Sequence, residues 1–267
     1  MIVEWNAHMF SSELDRYPFY PQATYVPDAS SCSPDPVGDY MMRMDSVGID
    51  RAVLVQPEPY GDEHRLLLDC LARDEHRLKG TCLFMPQDPD APAKLTALVR
   101  HHPRIVALRF HAHRGKESYL GSFDDFAVHE LWRAAGELGL VIELHIGPNY
   151  ADQVGRIVAE YPSFPVLIDH LAEPQLGTSD EYDDVLALGD YPNVTMKLSG
   201  LTHCSQTTEP YLDLKPLVTR VARAFGPDRL AWSSGSPHFI VDSLLDGWPE
   251  QDRAKVKGLN LARLAGF

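Results

Sequence analysis

Apolar runs of strand length recur along the chain, and nearly every one is followed by a segment whose apolar positions repeat at helical spacing. Eight strands are predicted: Ile2 to His8, Ala52 to Gln56, Leu78 to Met85, Ile105 to His111, Leu140 to Ile146, Val166 to His170, Val194 to Leu198 and Leu230 to Ser233. Amphipathic segments lie between them, at Pro36 to Gly48, Glu63 to Arg73, Ala91 to His101, Phe126 to Gly139, Ala151 to Tyr161 and Leu214 to Phe225. Several of these end in glycine, which suits a helix C-terminal cap. Strands that are apolar throughout, rather than alternating, belong to a parallel sheet covered on both faces. Eight such strands close a TIM barrel, so the predicted class is α/β with a (β/α)8 barrel; an open doubly wound sheet is the alternative.

A length of 267 residues suits one domain of this kind, and residues 1–267 are read as a single domain without repeats or low-complexity tracts. The first connection from strand to helix, about residues 9–36, is rich in Pro, Ser, Tyr and Asp and is long for such a loop, so it is expected to cover the site. Hydrophobic residues make up 44% and charged residues 23%, which is ordinary for a globular protein, and no stretch approaches a membrane span. The N-terminus enters an apolar strand without a basic segment and signal region, so a cytoplasmic location is expected. A net charge of −14 without a basic stripe argues against nucleic acid as a partner. Cys32, Cys70, Cys82 and Cys204 are far apart, and they are read as free thiols. No nucleotide fingerprint, P-loop or G-x-S-x-G elbow is present, which removes several enzyme classes. The partner left is a small molecule; the oligomeric state stays open, a homo-oligomer included.

In a TIM barrel the chemistry gathers where strands finish. Histidine dominates those positions here: His8 ends the first strand, Arg109, His111 and His113 the fourth, Glu143 and His145 the fifth, Asp169 and His170 the sixth, Lys197 and Ser199 the seventh. Any one such histidine is commonly a structural residue, but five on one rim could hold a metal or act as acids and bases. His111 and His113 share strand parity with Arg109, whose planar fork suits a substrate carboxylate; an internal ion pair is the competing reading of Arg109. Asp169 precedes His170 and would point away from it on a regular strand, which favours a structural acceptor. His101 and His102 end a helix before Pro103, and they are read, with His64, His76 and His129, as surface residues.

Asn6-Ala7-His8-Met9-Phe10, Ala23-Thr24-Tyr25-Val26-Pro27, Gly48-Ile49-Asp50-Arg51-Ala52-Val53-Leu54-Val55-Gln56, Leu108-Arg109-Phe110 and Glu143-Leu144-His145 occur in that order. Val166-Leu167-Ile168-Asp169-His170-Leu171-Ala172-Glu173-Pro174, Lys197-Leu198-Ser199-Gly200-Leu201 and Trp232-Ser233-Ser234-Gly235-Ser236-Pro237-His238 follow. In this order the motifs resemble the amidohydrolase-related family, the amidohydrolase-2 group, and within it the lactonase branch, over nearly the whole chain. The resemblance implies a distorted TIM barrel. It places metal ligands at a His-x-His on the first strand, at histidines after the fifth and sixth, and at an aspartate after the eighth that also serves as general base. His8, His145 and His170 match, whereas Phe10 stands at the second histidine, Gly235 at the aspartate and Asn6 at the usual Asp before the first histidine.

The expectation is therefore a hydrolase-like enzyme of the lactonase or amidohydrolase type, acting on a small carboxylated or lactone-like metabolite without the binuclear metal site. His8, His111, His113, His145 and His170 are the catalytic candidates, with His8 polarising a carbonyl oxygen. Arg109, Glu143, Ser199 and His238 are the substrate-binding candidates. The leading reading has no cofactor. One alternative keeps a single zinc or manganese on His8, His145 and His170, with a histidine or Glu143 as base, in a hydrolase, decarboxylase or other lyase or isomerase. Another is a non-catalytic ligand-binding relative.

Overall fold

The computed structural model describes residues 1–112 and 120–267. All eight predicted strands form: β1 (Val3–Ala7), β2 (Arg51–Val55), β3 (Leu78–Leu83), β4 (Ile105–Ala112), β5 (Val141–Ile146), β6 (Val166–Ile168), β7 (Val194–Leu198) and β8 (Leu230–Trp232). They pair in parallel and in sequence order from β1 to β8, as a nearly closed TIM barrel. Across the seam between β8 and β1, the Ser234 hydroxyl donates to the Asn6 carbonyl at 3.2 Å.

Six helices fall on predicted amphipathic segments: α1 (Pro36–Val47), α2 (Arg65–Leu71), α3 (Ala91–His101), α4 (Phe126–Glu137) and α5 (Ala151–Glu160), with Lys215–Phe225 as the sixth. The ends of α1 follow from chemistry visible in the sequence: Asp35 accepts from the Gly38 N–H, Pro36 opens the first turn, and Gly48 takes the left-handed cap. The pattern missed α6 (Ser179–Ala187), because its charged first turn leaves few apolar positions. Its start was nevertheless legible, since Thr178 and Glu181 form a reciprocal capping box. The short α7 (Leu201–Cys204) precedes the sixth predicted helix, now α8 (Lys215–Phe225). After β8 come α9 (Ile240–Leu244), α10 (Glu250–Ala254) and α11 (Asn260–Ala265).

Strand alternation divides the core in two. Along β4, Leu108 and Phe110 face the helices, and Phe110 packs on Trp132 of α4 with ring centroids 5.7 Å apart. Ala107 belongs to the inner cluster on the barrel axis with Val3, Trp5, Val53, Val141, Leu167 and Ala231. Leu261, Ala262 and Ala265 of α11 join that cluster and close the N-terminal end of the barrel. The inner wall is therefore apolar below and can turn polar only toward the C-terminal ends of the strands. His64 departs from its predicted surface position: it is buried, and its Nε2 accepts from the Leu83 N–H at 3.2 Å. Among the described residues, no helix is long and apolar enough to cross a membrane.

Candidate active site

Above the apolar plug lies a layer of buried charge. Lys197 of β7 sets its Nζ 2.8 Å from Oε1 of Glu143 on β5 and 2.5 Å from Oδ1 of Asp169 after β6. Asp169 receives Arg109 of β4 on its other oxygen, with Nη2 donating to Oδ2 at 3.1 Å. The Trp5 indole donates to Glu143 Oε2 at 2.9 Å, which completes that carboxylate. Lys197, Glu143 and Asp169 have no exposed side-chain surface, and Arg109 keeps 2%. Charges taken so far from water persist only when each has an opposite partner and hydrogen bonds, and this alternating chain supplies both.

One layer nearer the strand ends the histidines converge. The β4–β5 register sets Arg109 beside Glu143 and His111 beside His145, and the two imidazoles stack with centroids 4.4 Å apart. Arg109 Nη2 donates to His145 Nδ1 at 3.0 Å, so the proton of His145 sits on Nε2, 2.8 Å from Oε1 of Glu173. His8 faces the Val55 carbonyl with Nδ1 at 2.9 Å, and only an N–H can satisfy a carbonyl there. Its Nε2 therefore presents a lone pair, 3.5 Å from Arg109 Nη1. Burial, reinforced by the Arg109 charge, lowers His8 to about 4 and holds His145 well below the usual histidine value. Both rings are neutral at pH 7.

Glu58, just after β2, reaches into the same layer. Its Oε1 stands 2.7 Å from His111 Nδ1 and 3.8 Å from Arg109 Nη1. Burial alone would raise this carboxyl, but the hydrogen bond and charges of His111 and the charge of Arg109 prevail and hold it well below the ordinary value. Tyr25, from the long first connection, donates to Glu58 Oε2 at 3.3 Å. The same connection packs Phe19 on Tyr60 at 5.0 Å, and the Ser11 N–H donates to the Tyr60 hydroxyl at 3.0 Å. Phe10 lies 6.5 Å from the His8 ring and 6.2 Å from Tyr60, so an aromatic wall flanks His8.

His170 arrives by a backbone device. His170, Leu171, Ala172 and Glu173 all have positive φ, between 48° and 57°, a conformation costing about 1–2 kcal/mol per non-glycine residue. The left-handed run breaks strand parity, so Asp169 and His170 both turn inward; the expectation that Asp169 points away is corrected. Asn6 Nδ2 donates to His170 Nε2 at 3.2 Å, and Ser199 Oγ lies 2.9 Å from Nδ1. Asn6 can do this because β1 bulges there, with φ 114° and a register shift between Trp5 and Ala7. A Cβ on Gly200 would come within 2.7 Å of His170 Cβ, which reserves that position for glycine. Burial lowers His170 to about 3, against the Glu173 charge that opposes it. Glu173, at the end of the run, also takes His203 of α7, with Nδ1 3.0 Å from Oε2.

The predicted residues thus separate. His8, His111, His145, His170 and Arg109 come together, while His113 lies outside the described residues. Arg109 is committed to an internal pair with Asp169, the competing reading of that residue. Glu143 lies a layer beneath the histidines, held by Lys197 and Trp5, which removes it from contact with a substrate. Ser199 supports His170. His238 is elsewhere: it packs against the outward-facing Trp232 and lines a separate pocket of about 610 Å³ with Arg43, Ile49 and Gly235, because the chain after β8 folds outside the barrel. Polarisation of a carbonyl by His8 is also corrected, since its inward nitrogen carries no proton. Sequence reasoning missed Glu58 and Glu173 as site residues. Both follow closely on strand ends, a signal that an inventory centred on histidine passed over.

Two groups of ligand-type side chains come within 4.8 Å of one another: Glu58, His111 and His145, and His145, Asp169 and His170. In the first, the imidazole planes are inclined by only 20° in a stack, so one ion cannot lie in both ring planes. In the second, both Asp169 oxygens already face a cation, Oδ2 Arg109 and Oδ1 Lys197.

Comparison with known proteins bears on this arrangement. A family model described as Amidohydrolase matches residues 6–266. A 4-sulfomuconolactone hydrolase of Rhizobium radiobacter is 27% identical over 88% of this chain and 75% of its own. An L-fucono-1,5-lactonase of Burkholderia ambifaria is 27% identical over 71% of this chain and 66% of its own. The crystal structure of a probable 2-pyrone-4,6-dicarboxylic acid hydrolase from Acinetobacter baumannii superposes with a TM-score of 0.80, at 22% identity, over 100% of this chain and 99% of that one.

Proposed function

The chain belongs to the amidohydrolase family, and from that premise we propose that it is a hydrolase opening the ring of a small lactone without a metal ion. The named relatives differ in substrate but share a lactone as the bond opened. The observation that supports the metal-free part is Arg109: its guanidinium stands between His8 and His145, two of the three histidines that the resemblance places at ligand positions, and donates to Nδ1 of His145. His170 has both ring nitrogens engaged, by Asn6 and Ser199. Both engagements support a site that works without the family's metal.

The chemistry is assigned as follows. Arg109 directs N–H donors from Nη1 at the lactone carbonyl oxygen and stabilises the negative charge that gathers there in the tetrahedral intermediate. Glu58 holds His111 at Nδ1, so a proton taken from water passes to Nε2, and the carboxylate stabilises the imidazolium that forms. Water oxygen bonds to the acyl carbon, the ring C–O bond breaks, and the imidazolium returns its proton to the departing ring oxygen. The product is a hydroxy acid. The long connection over residues 9–36 covers the site through Tyr25.

The test is proton release on addition of 1,4- and 1,5-lactones to the full chain. Ring opening that falls by about 100-fold or more in His111→Ala is expected. Absence of opening above the buffer rate across the panel overturns the reading, as does full turnover in both His145→Ala and His170→Ala.

A further inference from the structure

We infer that the cavity outside the barrel, behind β8, is a second ligand site that takes a small hydroxylated aromatic molecule. The motif that forms its wall is Ser236-Pro237-His238, whose expected place at the strand ends the fold does not give it. After β8, Gly235 takes a left-handed backbone, with φ 88°, and the chain folds outward against the end of α1. A cavity of about 610 Å³ stays open between them, lined by Trp232, Ser236, His238 and Phe239 on one side and by Val47 and Ile49 on the other. That volume falls in the range of small-molecule sites and lies far above the voids of a close-packed interior. None of its lining residues belongs to the histidine layer, so it stands apart from the lactone-opening site.

Two features of the wall point to an occupant. Ser236 is 5% exposed, and among the described residues its Oγ has no hydrogen-bond partner; Nδ1 of His238 is buried and has none either. A buried polar atom without a partner costs free energy, and such atoms are few in a folded chain. A ligand that brings hydroxyl groups meets both, because a hydroxyl donates and accepts and so suits a serine Oγ and either tautomer of His238. The rest of the wall is largely apolar: Val47 and Phe239 stay half-exposed, and the Trp232 and His238 rings meet edge to face at 5.9 Å. Rings so placed receive an aromatic ligand by stacking or edge contact. Arg43, the charged residue of the lining, already gives Nη1 to Glu4 Oε2 at 2.8 Å and Nη2 to Oε1 at 3.2 Å. That pair is neutral, and the ligand assigned here is uncharged.

The experiment is equilibrium dialysis of the full chain against 2-naphthol, naphthalene and 2-naphthoate. Saturable binding of about one 2-naphthol per chain is expected, at least about 3-fold tighter than either of the other two. Ser236→Ala should weaken 2-naphthol by about 3- to 10-fold and leave naphthalene unchanged, which separates a lost hydrogen bond from a disturbed fold. Val47→Trp should fill the cavity and weaken both by at least about 10-fold, with an unchanged circular-dichroism spectrum. If Val47→Trp does not fold, the Ser236→Ala comparison decides alone. No saturable binding below about 1 mM, tighter binding of 2-naphthoate, or equal affinity for 2-naphthol in the wild type and Ser236→Ala overturns the inference. So does a dimer that Val47→Trp splits while 2-naphthol binding persists, since a second copy of the chain then covers this face.

Discussion

Arg109 Nη2 lies 3.0 Å from Nδ1 of His145, close enough to donate a hydrogen bond to the ring. A fixed guanidinium thus stands against an imidazole that burial, reinforced by the Arg109 charge, keeps neutral. The same cation reaches Asp169 below and His8 to the side, which ties the buried charge layer to the reacting groups.

Metal removal tests this placement. Protein treated with chelator and dialysed is expected to retain lactone-opening activity, and elemental analysis of protein purified without chelator should find less than about a tenth of an equivalent of zinc or manganese. Stoichiometric metal, or activity lost on chelation and restored by zinc, would overturn the metal-free assignment.

Replacing Lys197 by Met leaves Glu143 and Asp169 facing each other without their shared cation. A loss of about 3–5 kcal/mol in unfolding free energy is expected, because breaking a buried pair strands its partner. Urea denaturation of the two proteins measures it. A loss below about 1 kcal/mol would mean that Arg109 alone suffices for Asp169 and that Glu143 is protonated once Lys197 is gone.

Gly200→Ala places a methyl group 2.7 Å from His170 Cβ at a backbone φ of +63°. The conformation itself costs about 1–2 kcal/mol, and the clash pushes His170 away from Ser199 and Asn6. Both Tm and turnover should fall, whereas Gly139→Ala, which also has positive φ but open space around it, should lower only Tm.

Stability should decline as pH falls from about 6.5 to about 4. The unfolded chain takes up protons on histidine near 6.5, whereas burial keeps His8 and His64 neutral down to about 4 and His170 to about 3. Over that interval the unfolded state binds more protons, so each such histidine lowers stability as pH drops, and the loss levels off once the folded state also protonates. His64→Gln retains an acceptor for the Leu83 N–H without a titrating group, so its Tm should fall less between pH 7 and pH 4.5 than that of the wild type. Equal falls in the two proteins would show that His64 is not buried as described.

The number and order of strands were legible in the sequence because a parallel strand buried on both faces is apolar throughout, and each of the eight runs is bounded by turn residues. The rim histidines were legible too, since strand ends carry the site in a barrel. His238 was misplaced because its motif position says nothing of how the chain after β8 folds outward, and Glu58 was passed over because its partner, His111, lies 53 residues away.

By itself, then, the sequence determined the barrel, the histidine-rich rim and the residue types at each strand end. All of these are read from local pattern or from the identity of one position. The tertiary structure alone decided which charges meet: that Arg109 is held by Asp169, that Lys197 joins Glu143 to Asp169, and that a left-handed run turns Asp169 and His170 to the same side. Pairing across a barrel depends on which strand ends converge in space and on backbone dihedrals that override alternation, and neither is written in the spacing of residues along one strand.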